Sequence, residues 1–144
     1  MAQLPQANKT LGQHFLVDNK VITKITEDFK DQAHAIVEVG PGPGILTESL
    51  SKHGLPLHVI DKDERFPEYL KQFVDEDKIH ITDALEWDLE KGFVDWEYPK
   101  DIWMVSNLPY NVSTPLLIQF IKAPSLKYMT LMFQREVADK VFPI

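Results

Sequence analysis

Apolar positions recur along this chain in two alternating periods. From Val17 to Phe29, residues Val21, Ile22, Ile25 and Phe29 fall at helical spacing and predict an amphipathic helix. Ala35–Val39 is a short β-rich apolar run closed by Gly40, hence a buried strand. Ile45 to Lys52, with Ile45, Leu46 and Leu50, reads as a helix. Leu57–Ile60 is a second strand ending at Asp61. Phe66 to Val74 follows as a helix, with Pro67 tolerated in its first turn. Ile79–Thr82 is a third strand ending at Asp83, Ile102–Ser106 a fourth and Tyr128–Phe133 a fifth. Between the last two, Ser113 and Thr114 cap a helix with Pro115 in its first turn, running to about Lys122. Arg135 to Phe142 begins another helix. Glu86 to Lys100 is the least readable stretch; Trp87, Phe93 and Trp96 anchor it to the body.

Strands alternating with helices mean βαβ units, right-handed crossovers and a parallel sheet, so the fold class is α/β and Rossmann-like. Residues 1–16 are read as an N-terminal arm, polar and aperiodic over the first twelve, and 17–144 as the domain. A chain that stops at Pro143-Ile144, just inside a helix after a parallel strand, looks like part of a longer protein.

Composition narrows the chemistry. The 144 residues are 44% hydrophobic and 26% charged, enough for one domain with a real core. With no cysteines, disulfides, thiolate metal sites and a cysteine nucleophile are excluded. The five histidines show no metal-ligand spacing, and no metal is expected. No apolar run is long enough to span a bilayer, and Met1 to Lys9 lack the apolar core of a signal peptide, so the expected location is cytoplasmic. The formal charge of −7, from 15 basic and 22 acidic residues, weighs against this segment alone gripping nucleic acid strongly.

The candidate chemistry sits at strand ends, where open α/β sheets bind ligands. Gly40-Pro41-Gly42-Pro43-Gly44 joins the first strand to a helix. Gly40 and Gly42 allow close backbone approach of a ligand, and the helix start offers free amides. Its G-x-G-x-G spacing differs from the G-x-G-x-x-G of dinucleotide sites and suits a smaller ligand; a plain tight turn is the alternative. Asp61 lies on the order of twenty residues further on, where an acid accepts both ribose hydroxyls of an adenosine ligand. Asp83 can accept from an exocyclic adenine amine, or serve as a plain helix cap. Glu38, inside the first strand, needs a partner: loop amides, a ligand ammonium, or a purely structural role. Asn107-Leu108-Pro109-Tyr110 closes the fourth strand. Its side-chain amide and a backbone carbonyl at Leu108 or Pro109 can accept the hydrogens of a planar amine, and the Tyr110 ring can stack on the base. Alone it could be a turn, since Asn and Pro form turns. Together these groups suggest methylation of an amino group on a nucleobase.

Several of these motifs, in order, resemble the ribosomal RNA adenine dimethyltransferase family. They are Gly12-Gln13-His14-Phe15-Leu16, Glu38-Val39-Gly40-Pro41-Gly42-Pro43-Gly44, Asp83-Ala84, Asn107 through Pro115 and Gln134-Arg135-Glu136-Val137-Ala138. The chain is most similar to the small-subunit branch. The sister branch, which confers macrolide resistance on the large subunit, usually has isoleucine at the position of Leu108 and lacks the segment 134–138. The resemblance implies a methyltransferase fold using S-adenosylmethionine, with cofactor contacts on His14, Leu16, Gly40, Asp61, Asp83 and Asn107. Many relatives have Asn at the position of His14 and Glu at that of Asp61. It also implies further strands and a helical, RNA-holding C-terminal domain beyond residue 144.

The activity implied is N6-dimethylation of adenines in small-subunit ribosomal RNA, on an immature small subunit, by a monomeric enzyme of ribosome biogenesis. Two other functions remain open from the residues: a non-catalytic RNA-binding or ribosome-assembly protein on the same fold, and an NAD-binding oxidoreductase. The oxidoreductase leaves Asn107 to Tyr110 without a role.

Overall fold

The computed structural model describes residues 19–98, 100–107 and 113–132. Its strands β1 (Ala35–Val39), β2 (Leu57–Asp61), β3 (Ile79–Ile81), β4 (Ile102–Asn107) and β5 (Leu126–Met132) form one sheet ordered β3-β2-β1-β4-β5. Every pairing is parallel, with Glu38 opposite Val59 on one side and Val105 on the other. The helices among the described residues are α1 (Asn19–Thr26), α2 (Ile45–Ser51), α3 (Pro67–Leu70), α4 (Leu89–Asp95) and α5 (Ser113–Ile121).

The alternation of side chains along a strand divides the core into two layers. All five residues of β1 are buried. Ile36 faces a layer with Val59, Trp103, Leu50 of α2 and Leu70 of α3. Val37 faces the other, with Met104, Phe93 of α4 and Phe120 of α5. A strand covered on both faces needs apolar residues at successive positions, which is why β1, β2 and β4 read as continuous runs. Phe120 is fully buried, so truncating it to alanine would cost about 3–5 kcal/mol.

The turn after α1 is pinned to the sheet. Phe29 stacks on Tyr128 with ring centroids 4.8 Å apart. The Thr130 hydroxyl donates to Asp28 (2.9 Å) and accepts from the Trp103 indole nitrogen (3.0 Å).

Strand β1 matches its expected bounds, and helix α2 differs by a single residue. The expected helix over 66–74 contracts to the four residues of α3. Beyond Leu70 the chain tightens into a turn, with the Phe73 amide on the Leu70 carbonyl (2.9 Å), and Val74 still reaches the core. The stretch 86–100, for which no element was expected, contains α4. Asp88 caps it by accepting the Lys91 amide (3.1 Å), and Leu89 and Phe93 point inward. Gly92 interrupts the apolar pattern because Trp87 lies across it; a Cβ there would sit 2.4 Å from the indole ring. The expected anchors Trp87, Phe93 and Trp96 do pack against the core. Strand β5 begins two residues earlier than expected, at Leu126. The arm (1–16), residue Phe133 and the helix expected over 135–142 lie outside the described residues.

Candidate active site

The carboxyl ends of β3, β2, β1 and β4 stand side by side and bring four of the expected segments to one edge. The chain leaves β1 through the glycine loop. Gly40, Gly42 and Gly44 have φ of 74°, 58° and 97°, a left-handed region that side chains resist. Gly44 also lies against Phe73, whose ring would be 2.9 Å from an added Cβ. The loop is held at its base by the Gly40 amide on the Ile60 carbonyl (2.8 Å).

Asp61, the last residue of β2, reaches across to this loop. Its Oδ2 accepts the Gly42 amide (3.0 Å) and its Oδ1 accepts the Asp63 amide (3.0 Å). Burial pushes its carboxyl above the usual range, and these amides pull the other way. Asp83, after β3, caps the next turn through the Leu85 amide (2.9 Å) and faces the Lys62 ammonium at 3.5 Å. The cap expected as an alternative is therefore present, and it leaves the second carboxylate oxygen at the site edge, beside Lys62.

Glu38 lies beneath the first turn of α2, 1% exposed. Where the sequence suggested loop amides as partners, the structure supplies the Thr47 hydroxyl, which donates to Glu38 Oε1 at 2.5 Å. Burial raises this carboxyl to about 8, with the Thr47 bond opposing and the Asp61 charge reinforcing the shift. Glu38 therefore holds a proton at neutral pH.

Asn107 is the last residue of β4 and pairs with Met132 of β5. Ser106 beside it pairs with Val39, the residue before Gly40. Its hydroxyl donates to the Val39 carbonyl at 2.7 Å, which joins the ends of β1 and β4. Leu108, Pro109 and Tyr110 lie outside the described residues, as do His14 and Leu16. Among the described residues no group of three or more metal-ligating side chains converges.

Sequence reasoning missed Thr47, Ser106, Asp63 and Arg65. Ser106 and Thr47 carried no signal, since an isolated hydroxyl residue is common in any strand or helix. Asp63 and Arg65 did: acids and a base alternating just after a strand are the material of side-chain-to-backbone turns.

A parallel sheet of this order, with a glycine loop after β1 and acids at the ends of β2 and β3, defines a Rossmann-like α/β fold of the methyltransferase type. Solved structures share it, among them the following two. A dimethyladenosine transferase from Plasmodium falciparum is 26% identical, with a TM-score of 0.67 over 91% of this chain and 47% of that one. The 23S rRNA methyltransferase ErmE is 24% identical, with a TM-score of 0.68 over 88% of this chain and 50% of that one. A family model described as ribosomal RNA adenine dimethylase matches residues 5–143, and the chain belongs to that family. Among curated relatives, the ribosomal RNA small subunit methyltransferase A of Phenylobacterium zucineum is 41% identical over 144 residues, 94% of this chain and 48% of its own length. That of Bartonella henselae is 40% identical over 146 residues, 94% of this chain and 52% of its own. The chain thus spans about half the length of the curated relatives it matches.

Proposed function

We propose that this chain is the cofactor-binding and catalytic portion of an S-adenosylmethionine-dependent enzyme that dimethylates adenine N6 in small-subunit ribosomal RNA. One observation carries the reading. The pairing of Val39 with Ser106 sets Gly40 and Asn107 on adjoining strand ends, flanked by Asp61 and Asp83.

The residues present suit the cofactor. The Asp61 carboxylate can accept from the ribose hydroxyls, and Asp83 can accept the adenine amine. Glycines at 40 and 42 leave the backbone open to a close ligand, and His14 and Leu16 are proposed to complete the contacts. Glu38, protonated and bonded to Thr47 of α2, adds no charge beneath the site. When bound, the cofactor supplies an electrophilic methyl group.

The target amine is a poor nucleophile because its lone pair is delocalised into the ring. Asn107 and a carbonyl at Leu108 or Pro109 would accept its two N–H bonds and bias the nitrogen toward tetrahedral geometry. Hydrogen bonds that strengthen in the transition state supply about 3 kcal/mol each when well placed, and positioning supplies much of the rest. Tyr110 would stack on the extruded base. A second methylation requires that one of the two N–H contacts be dispensable.

The remaining expectations are proposed with this reading: a 1–16 arm, a domain completed by strands and a helical RNA-holding unit beyond residue 144, a monomer, and action in the cytoplasm on immature small subunits. A chain with a formal charge of −7 needs most of its RNA grip to come from elsewhere. No helix of the described residues is long and apolar enough to cross a membrane.

Calorimetric titration with S-adenosylmethionine and with NAD, followed by transfer of labelled methyl groups to immature small subunits, tests the reading. Binding of the first ligand alone, with label on adenine N6, is expected. Preferential NAD binding would overturn it.

A further inference from the structure

We propose that Asp63 and Arg65 are positioning residues that aim the Asp61 carboxylate at the ribose of the cofactor, a role that rests on the methyl-donor reading above. The chain leaves β2 as Asp61-Lys62-Asp63-Glu64-Arg65. The two oxygens of Asp61 each accept a backbone amide, Gly42 from the glycine loop and Asp63 from the following turn, both at 3.0 Å. Its plane is thus set from two sides, by the glycine loop and by the following turn.

The Asp63 amide is itself held in place. Asp63 Oδ1 accepts the Arg65 amide (2.9 Å). Its carboxylate also takes the Arg65 guanidinium through Nε, at 3.1 and 3.0 Å, and Nη2, at 2.7 Å. The Asp63 side chain is 6% exposed and that of Arg65 41%. A carboxylate so buried, close to a second one, needs a counter-charge, and the fork supplies it with directional bonds. Replacing Arg65 removes the planar fork from a buried carboxylate. The turn then opens toward water, and Asp61 loses the amide on Oδ1.

An ionised carboxylate has about four acceptor sites. Backbone amides of residues 42, 62 and 63 take part of that capacity and fix the carboxylate plane, so what remains meets a hydroxyl donor in a set orientation. An acceptor already oriented binds more tightly because little order remains to be imposed.

Titration of S-adenosylhomocysteine into the 144-residue chain tests this, with melting temperatures measured on the same samples. Arg65→Gln is expected to weaken binding roughly tenfold, the equivalent of one misdirected charge-assisted hydrogen bond. Arg65→Lys keeps the charge but not the planar fork, and is expected to fall between the parent and Arg65→Gln. In an Asp61→Asn background, Arg65→Lys and Arg65→Gln should change affinity by less than about twofold, because the group they position has been altered. A purely structural Arg65 would weaken binding equally in both backgrounds, and that result overturns the proposal. So does parent-like affinity of both Arg65 variants. A parent chain that binds no S-adenosylhomocysteine removes the methyl-donor reading and this proposal with it; a parent that binds but ignores Arg65 removes the proposal alone.

Discussion

The buried Ser106 hydroxyl donates a 2.7 Å hydrogen bond to the Val39 carbonyl, 67 residues earlier in the chain. It fastens the strand that leads into Asn107 to the strand that leads into the glycine loop. Ser106→Ala is expected to cost about 1–2 kcal/mol in urea denaturation, since a buried carbonyl loses a donor. Transfer should fall further than cofactor affinity does, because the two strand ends lose a tie. An unchanged denaturation midpoint would mean that the backbone ladder satisfies Val39 alone.

Asn107→Ala, in a version that transfers methyl groups, should reduce turnover by about 100-fold or more while weakening cofactor binding much less. Asp61→Ala should do the reverse and act mainly on affinity. Parent-level methylation by the Asn107 variant would remove that residue from the reaction, and unchanged affinity of the Asp61 variant would remove Asp61 from the ribose site.

Glu38 makes stability depend on pH in the neutral range. Burial raises its carboxyl from the usual 4.5 to about 8 in the folded chain. Between those values the folded state keeps a proton that the unfolded state releases. Its contribution is therefore complete below about pH 4.5 and is lost as the pH climbs through 8. The slope in that window is at most about 1.4 kcal/mol per pH unit. Glu38→Gln keeps an oxygen for Thr47 and cannot titrate, so stability measured from pH 6.5 to 8 should become flatter. The idea fails if the variant retains the parent's slope.

His58 acts with the opposite sign at lower pH. It stacks on Trp96 with centroids 3.9 Å apart, and its Nδ1 shares a hydrogen bond with His80 Nε2 (2.9 Å). Burial first, then the charges of His80 and Lys78, lower it from 6.5 to about 4, with Asp77 opposing. The unfolded state takes up a proton before the folded one does. Stability from this group is complete above pH 6.5 and is lost as the pH falls toward 4, by an amount on the order of 2 kcal/mol after allowance for solvent. His58→Phe should remove that acid sensitivity while keeping the ring stack. Identical acid midpoints for the two proteins would count against it.

Gly92→Ala is expected to destabilise by about 1–3 kcal/mol, because the new methyl meets the Trp87 ring in a packed layer. Thermal melting of the variant checks this, and a Trp87→Leu background should reduce the penalty.

The sheet was legible in the sequence because strands covered on both faces must be apolar throughout: β1 matches its expected bounds, and β2 through β5 each fall within two residues of expectation at the edges described. Helix α4 was not legible, since a seven-residue helix with a central glycine has too little periodicity to stand out. Asp88 followed by Leu89 and Phe93 was nonetheless a cap with an i, i+4 apolar pair. At the site, Gly40, Gly42, Asp61 and Asp83 could be placed because strand ends are marked by their own residue types. Thr47 and Ser106, which bond Glu38 and the end of β1, act through pairings that only the folded chain creates, whereas the Asp63–Arg65 turn is local and left a signal.

The central position of β1 also bears on how the molecule comes together. Strand β2 follows it within 22 residues of matched register, Val37 to His58 being 21 apart, whereas β4 must travel much further to reach its other side. During synthesis β2 and β3 can associate with β1 early, while the other flank of β1 stays open until β4 emerges. Closing that long loop is entropically slow, so pairing of β4 with β1 should mark the late, rate-limiting part of folding.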